Sequence, residues 1–171
     1  MIKLHKKLVI VNGVMGVGKT TVCRSLYKKL KNSFWLDGDN CWMMNPFIVD
    51  DENKAMVLDN ITYIISNFLK NSKSRYIIFN WVIPSDYIME DFLNRLDLKD
   101  VDVYKLTLIA TKDKIVQRIT KDMKKGVRDK GNIQRSMERF ELYKNMNTIK
   151  VETTNKSISE VANEIIKIIH T

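Results

Sequence analysis

The chain is poor in the residues that interrupt or cross-link a fold. Its 171 residues include only 6 glycines, 2 prolines and 2 cysteines. The scarcity of Gly and Pro, with no Ser-rich or low-complexity tract and no internal repeat, argues against a linker and predicts one domain over residues 1–171. Cys23 and Cys41 are far apart and form no C-x-x-C, so free thiols in a reducing cytoplasm are expected. No apolar run approaches the roughly 18 residues that suggest a membrane span. The basic opening Met1-Ile2-Lys3-Leu4-His5-Lys6-Lys7 leads into an apolar stretch that runs straight into a glycine loop, which does not read as a signal peptide.

Charge of one sign is abundant. There are 29 Lys and Arg against 20 Asp and Glu, a formal net charge of +9, which attracts polyanions such as nucleotides and nucleic acid. The excess is concentrated between residues 112 and 130, in Lys112, Lys114, Arg118, Lys121, Lys124, Lys125, Arg128 and Lys130. Two readings stay open for this run: a solvated helix face, or a lid that faces phosphate.

Three of the few glycines stand together, in Gly13-Val14-Met15-Gly16-Val17-Gly18-Lys19-Thr20. This is a complete G-x-x-x-x-G-K-[ST] phosphate-binding loop, or P-loop. It counts as one only between a strand and a helix. The pattern supplies both, an apolar run over 8–12 and helical spacing of Val22, Cys23, Leu26 and Leu30 over 20–31. Glycines let successive backbone N–H groups turn inward around phosphates, and the helix N-terminus adds partial positive charge. Lys19 is suited to the β- and γ-phosphates and Thr20 to Mg²⁺, which makes ATP and Mg²⁺ the expected cofactors, with Thr21 also at the nucleotide.

Further along, strands and helices alternate. Strands are predicted over 33–37, 76–82, 101–109 and 148–152, and helices over 52–70, 112–124, 132–147 and 157–169, with another beginning near Ser85. The predicted inward faces are Met56, Val57, Ile61, Ile64, Ile65, Phe68 and Leu69, then Ile115, Val116, Ile119 and Met123, then Ile133, Met137, Phe140 and Tyr143. Five strands alternating with helices predict an α/β fold with a doubly wound parallel sheet, whose ligands sit beyond the carboxyl ends of the strands.

The second strand ends in Leu36-Asp37-Gly38-Asp39-Asn40, which sets two carboxylates at the same mouth as the P-loop. Phosphoryl transfer needs a metal neighbour and an acceptor for the proton of the attacking hydroxyl. Asp37 suits the first task and Asp39 the second; an Asp-Gly turn with solvated acids is the plainer alternative.

With these two segments the chain resembles the small P-loop kinases, the group of adenylylsulfate, gluconate, shikimate and nucleoside monophosphate kinases and chloramphenicol phosphotransferase. The resemblance covers nearly the whole chain in element order. It implies a nucleoside monophosphate kinase-like fold with a small mobile lid over about residues 121–131, and an ATP-dependent kinase activity. Arg118 would stack on adenine or touch the β-phosphate, and the loop at Thr154 would support adenine through its backbone. Arg128, with Arg135 or Arg139, would clamp the γ-phosphate.

Two departures stand out. Asn80 occupies the place where many P-loop ATPases carry an aspartate, which disfavours a hydrolytic motor and leaves the metal to Thr20, Asp37 and water. On the acceptor side the chain has Cys41-Trp42-Met43-Met44-Asn45-Pro46-Phe47 in place of the residues of the adenylylsulfate or gluconate kinases. Trp42, Phe47 and Trp81 are an aromatic wall for an acceptor or else core, with Asp39, Asn80 and Arg135 also on the acceptor side. No N-K-x-D guanine motif is present. The expected reaction is transfer of the γ-phosphate of Mg-ATP to a hydroxyl or phosphate of a small molecule: a metabolite, nucleotide or antibiotic. A polynucleotide 5′-hydroxyl kinase and a nucleotide-binding regulator with little catalysis are the alternatives. The expected protein is cytoplasmic, without a membrane partner, and a monomer or homodimer.

Overall fold

A computed structural model describes residues 5–126, 129 and 131–171. Val127, Arg128 and Lys130, and with them part of the expected lid, lie outside the described residues. The chain runs β1 (Lys6–Asn12), α1 (Lys19–Lys29), β2 (Ser33–Asp37), a 3₁₀ turn (Gly38–Trp42), α2 (Asp51–Lys70), β3 (Tyr76–Asn80), α3 (Asp86–Asn94), β4 (Val101–Ile109), α4 (Lys112–Lys124), α5 (Gly131–Asn145), β5 (Ile149–Glu152) and α6 (Ile158–His170). The strands form one parallel sheet in the order β2-β3-β1-β4-β5. The predicted architecture is therefore present, with the third strand ending at Asn80 and the 3₁₀ turn added after β2.

The alternation of β2 sorts the helices onto two faces. Successive strand residues point to opposite sides of a sheet. Phe34 meets Phe68 of α2, and Trp35 meets Tyr27 of α1. On β3, Phe79 meets Phe92 of α3 while Tyr76 bonds His170 of α6 at 2.8 Å. In register, Phe34 pairs with Ile77 and Leu36 with Phe79. So α1 and α6 cover one face and α2 and α3 the other. The β1–α1 connection heads toward β2, whereas the β4 connection heads toward β5. The strand order reverses between β1 and β4, and in open α/β sheets ligands bind outside the carboxyl ends at such a switch point.

The core is centred on β1 and β3, whose Leu8, Val9, Ile10, Val11, Ile77, Ile78 and Phe79 are fully buried. Such near-continuous apolar strands are what a sheet covered on both faces requires. Two predicted helix faces need adjustment. Met56 is exposed, because α2 turns its buried stripe to Val57, Ile61 and Ile65. On α5 the buried stripe is Asn132, Ser136, Phe140 and Tyr143, with Ile133 and Met137 only partly buried against the core. The reason is local: Ser136 Oγ donates to the carbonyl of Met15 at 3.1 Å, so this helix packs on P-loop backbone through a small polar side chain.

Candidate functional site

The P-loop leaves β1 at Asn12, a fully buried side chain that clamps the neighbouring loop. Asn12 Nδ2 donates to the Ile83 carbonyl, and the Ile83 N–H donates to Asn12 Oδ1, both at 2.8 Å. Gly13 (φ 145°) and Gly16 (φ 86°) adopt backbone angles that L side chains rarely take. Both also lack space for a side chain. A Cβ on Gly13 would lie 2.8 Å from the Leu108 carbonyl oxygen of β4, and one on Gly16 2.5 Å from Ile119 Cγ1 of α4. The loop thus lies against β4 and α4, at the switch point.

Gly18, with φ 110°, begins α1 without a side-chain cap and without an acid in the first turn. By contrast, α2, α3, α4 and α6 are capped by Asp50, Ser85, Thr111 and Ser157. The first-turn N–H groups of a helix need acceptors, and together with Lys19 these form a setting suited to anionic oxygens. Lys19 Nζ donates to the carbonyls of Gly13 (2.7 Å) and Val14 (3.1 Å), which sets the ammonium at the loop itself.

Thr20 and Asp37 meet. Thr20 Oγ1 donates to Asp37 Oδ2 at 2.7 Å, and Asp37 Oδ1 accepts the N–H of Asp39 at 3.1 Å. Two adjacent ligands of an octahedral ion with bonds of about 2.1 Å lie roughly 3 Å apart, so this hydroxyl and carboxylate fit two neighbouring positions around Mg²⁺. Among the described residues no group of three or more His, Cys, Asp or Glu is arranged around a metal. Burial and the charge of Asp37 both raise the pKa of the Cys41 thiol, which keeps it protonated beside the site.

Asp39 faces α5. The Tyr143 phenol is pushed up to about 12, mainly by burial; the charge of Arg139 opposes the shift and that of Asp39 adds to it. Gly38, between the two acids, lies on the indole of Trp81: a Cβ there would meet Trp81 Cγ at 2.6 Å. The indole N–H of Trp81 is buried with no hydrogen-bond partner among the described residues. Asn80 is buried, and its Oδ1 accepts from Trp35 Nε1 at 2.7 Å.

Arg118 ties three elements together. Its Nη1 donates to the Val17 carbonyl (2.9 Å) and Thr153 Oγ1 (3.0 Å), and its Nη2 to the Thr153 carbonyl (2.8 Å). Sequence reasoning saw Arg118 only as a ligand group; its three bonds make it also the brace between α4, the P-loop and the β5–α6 loop. Glu152, which that reasoning missed, organises the same loop. It accepts from the N–H groups of Thr153 and Thr154 and from the Thr154 hydroxyl. Burial works against its charge, but these bonds and Lys156 outweigh it and hold the carboxyl below its usual range. Arg135 pairs with Asp129 at 3.1 Å and with Asn132 Oδ1 at 3.0 Å. Trp42 stacks at a tilt on Phe47, with ring centroids 5.7 Å apart. The expected γ-phosphate clamp Arg128 lies outside the described residues.

Concavity alone would point elsewhere. A cavity of about 560 Å³ opens at the amino ends of β1 and β4, between Lys6, Lys70, Arg95 and Lys99. It contains no motif residue and lies at the opposite end of the strands from the P-loop, so chemistry and not hollow shape defines the site.

The family model for an AAA domain matches residues 9–141. No curated protein matches the sequence. Among solved structures the chain is similar to a gluconokinase from Sinorhizobium meliloti 1021, at 14% identity over 96% of this chain and 91% of that one, TM-score 0.68. It is similar to the adenylylsulfate (APS) kinase of Mycobacterium tuberculosis in complex with AMPPNP and APS, at 15% identity over 98% and 99% of the two chains, TM-score 0.65. It is also similar to the tunicamycin resistance protein of Deinococcus radiodurans, at 16% identity over 96% of each chain, TM-score 0.67. The chain therefore belongs to the AAA-domain family whose model spans the P-loop and most of the sheet, and it has the fold of the small P-loop kinases.

Proposed function

We propose that this protein transfers the γ-phosphate of Mg-ATP to a hydroxyl or phosphate of a small molecule. The observation that carries the reading is the 2.7 Å contact of Thr20 with Asp37, which joins a complete P-loop to the acid pair after β2. The gluconokinase and the APS kinase are kinases by name, which supports the same class of reaction.

In this reading the backbone of residues 13–20, with Thr21, wraps the phosphates, and Lys19 supplies the point charge on the β- and γ-phosphates. Thr20 and Asp37 hold Mg²⁺, which neutralises charge on the phosphate oxygens when bound. Arg118 and Thr154 border the adenine. Asp39 accepts the proton of the acceptor hydroxyl as that oxygen bonds to the γ-phosphorus. The bond from phosphorus to the β–γ bridging oxygen breaks, and ADP leaves with the electron pair. Trp42, Trp81 and Asn80 border the acceptor, and Arg135 could release Asp129 to meet phosphate. The protein works in the cytoplasm, where ATP is supplied and Cys23 and Cys41 stay reduced.

A transfer screen with [γ-³²P]ATP over pooled nucleosides, nucleotides, sugars, aminoglycosides and oligonucleotides tests the reading, with Lys19→Ala as control. A labelled product that requires Lys19 is expected. Nucleotide binding without any labelled acceptor across the panel would instead favour a regulatory module.

A further inference from the structure

Gly38 separates the two acids, and its backbone does not explain why it is glycine. It lacks the positive φ of Gly13, Gly16, Gly18 and Gly126, the conformation that favours glycine. Its surroundings explain it instead. A Cβ on the buried Gly38 would stand 2.6 Å from Cγ, 2.7 Å from Cδ1 and 3.0 Å from Cβ of Trp81. Asp37 pairs with Asn80 in register, and one residue beyond both strand ends the indole fills the space that a side chain at 38 would need.

Residue 81 has little freedom to yield. Its Cβ is fixed by the backbone, and its Cγ moves only if the whole ring swings. That backbone is tied to the root of the P-loop. The Trp81 N–H donates to the Val11 carbonyl at 3.4 Å, and two residues on the N–H and carbonyl of Ile83 are both held by Asn12 at 2.8 Å. The indole N–H is buried without a partner among the described residues, so the ring acts here through its shape and not through a hydrogen bond. The turn it supports carries the acids. Asp37 caps that turn by accepting the Asp39 N–H, and its other oxygen accepts the Thr20 hydroxyl. A displaced turn therefore moves the Asp37 carboxylate relative to Thr20.

We propose that Trp81 is a positioning residue for the metal: its indole seats Gly38 and thereby sets Asp37 against Thr20. This rests on the assignment of Mg²⁺ to Thr20 and Asp37 above, and it gives Trp81 a task other than touching the acceptor. Carbon atoms pack at about 3.5–4.0 Å, so a methyl group at 38 displaces the turn or the ring by about 1 Å. Mg²⁺ demands near-ideal octahedral geometry and tolerates little such displacement of its ligands.

Calorimetric affinity for AMPPNP, measured with Mg²⁺ and again with EDTA, separates the metal pair from the phosphate loop. In the wild type Mg²⁺ is expected to tighten binding, and Asp37→Asn to lose that gain. Gly38→Ala and Trp81→Ala are expected to weaken binding with Mg²⁺ by about tenfold, the usual scale for a group that orients a metal ligand, and to leave binding in EDTA unchanged. Trp81→Phe keeps Cβ and Cγ against Gly38 and should keep the gain. Adding Gly38→Ala to Trp81→Ala should cost nothing more, because the obstacle to the methyl group is gone. Equal losses with Mg²⁺ and with EDTA would make the pair a support of the fold alone and overturn the inference. A gain abolished by Asp37→Asn but kept by both Gly38→Ala and Trp81→Ala would also overturn it and leave the metal reading standing. No Mg²⁺ gain in the wild type would count against both. If circular dichroism shows that Gly38→Ala does not fold, Trp81→Ala against Trp81→Phe carries the same comparison.

Discussion

Single residues carry the chemistry and the clearest pH signature. Asp37 and Asp39 are close in sequence but differ in setting, since Asp37 is bonded by Thr20 and by the Asp39 N–H, whereas the charge of Asp39 is felt at the Tyr143 phenol of α5. If Asp39 accepts the acceptor's proton, Asp39→Asn lowers kcat by about 10²–10⁴ and leaves nucleotide affinity nearly unchanged. A kcat within about threefold of wild type would make Asp39 a turn residue. Tyr143 gives a second expectation, at high pH. Its folded value of about 12 lies above the ordinary 10.0, so the folded state resists ionisation. The associated stability is fully present below about pH 10 and is lost as pH rises toward 12. A shift of this size corresponds to about 2–3 kcal/mol. Urea midpoints of Tyr143→Phe and wild type should therefore converge or cross as pH climbs through that window, because only wild type has this phenol to ionise. Parallel curves would mean that the phenol is less secluded than its burial suggests.

Elements meet around the P-loop in ways that constrain its glycines. Gly16 combines φ 86° with a side-chain neighbour, Ile119 of α4, 2.5 Å from where a Cβ would stand. Gly16→Ala is expected to destabilise the fold by about 1–3 kcal/mol, partly through backbone strain and partly through the clash. A double-mutant cycle separates the two: Ile119→Ala makes room for the new methyl but cannot relax φ, so the pair should be less destabilising than the sum of the single changes. Strict additivity would show that α4 does not press on the loop. The glycine spacing was legible in the sequence, because the motif states it. Its packing on Ile119 was not, because residues 103 positions apart meet only once β4 lies beside β1. The polar buried stripe of α5 has a similar cause. Periodicity favours apolar residues inward, and only contact with the backbone of Met15 explains why Ser136 is the buried one.

At the scale of the whole molecule, ligand binding and folding are linked. A ligand that binds only the folded state adds about 2.7 kcal/mol at 100 times its Kd. For a chain of this size that raises Tm by roughly 5–10 °C. Saturating Mg-ATP should give such a shift, and Lys19→Ala should lose it while keeping its own Tm near that of wild type. An equal shift in the variant would remove Lys19 from the nucleotide site. The net charge of +9 is also a whole-molecule property, and it favours anionic ligands generally without choosing among them.

The sequence by itself determined the class of fold and the place of the P-loop between β1 and α1. Apolar runs of strand length alternating with amphipathic helices leave few parallel arrangements, and a P-loop is a local device whose residues are contiguous. Asp37 and Asp39 were legible for the same reason, as neighbours at a strand end. Tertiary structure alone decided what depends on contacts between distant segments. It joined Thr20 to Asp37, committed Asn80 to Trp35, and gave Arg118 its bonds to Val17 and Thr153. It also left Met43, Phe47 and Met56 outside a core into which their hydrophobicity alone would have drawn them. Hydrophobic patterning says which side chains gain by leaving water; the limited area of each helix and sheet face decides which of them find a place inside.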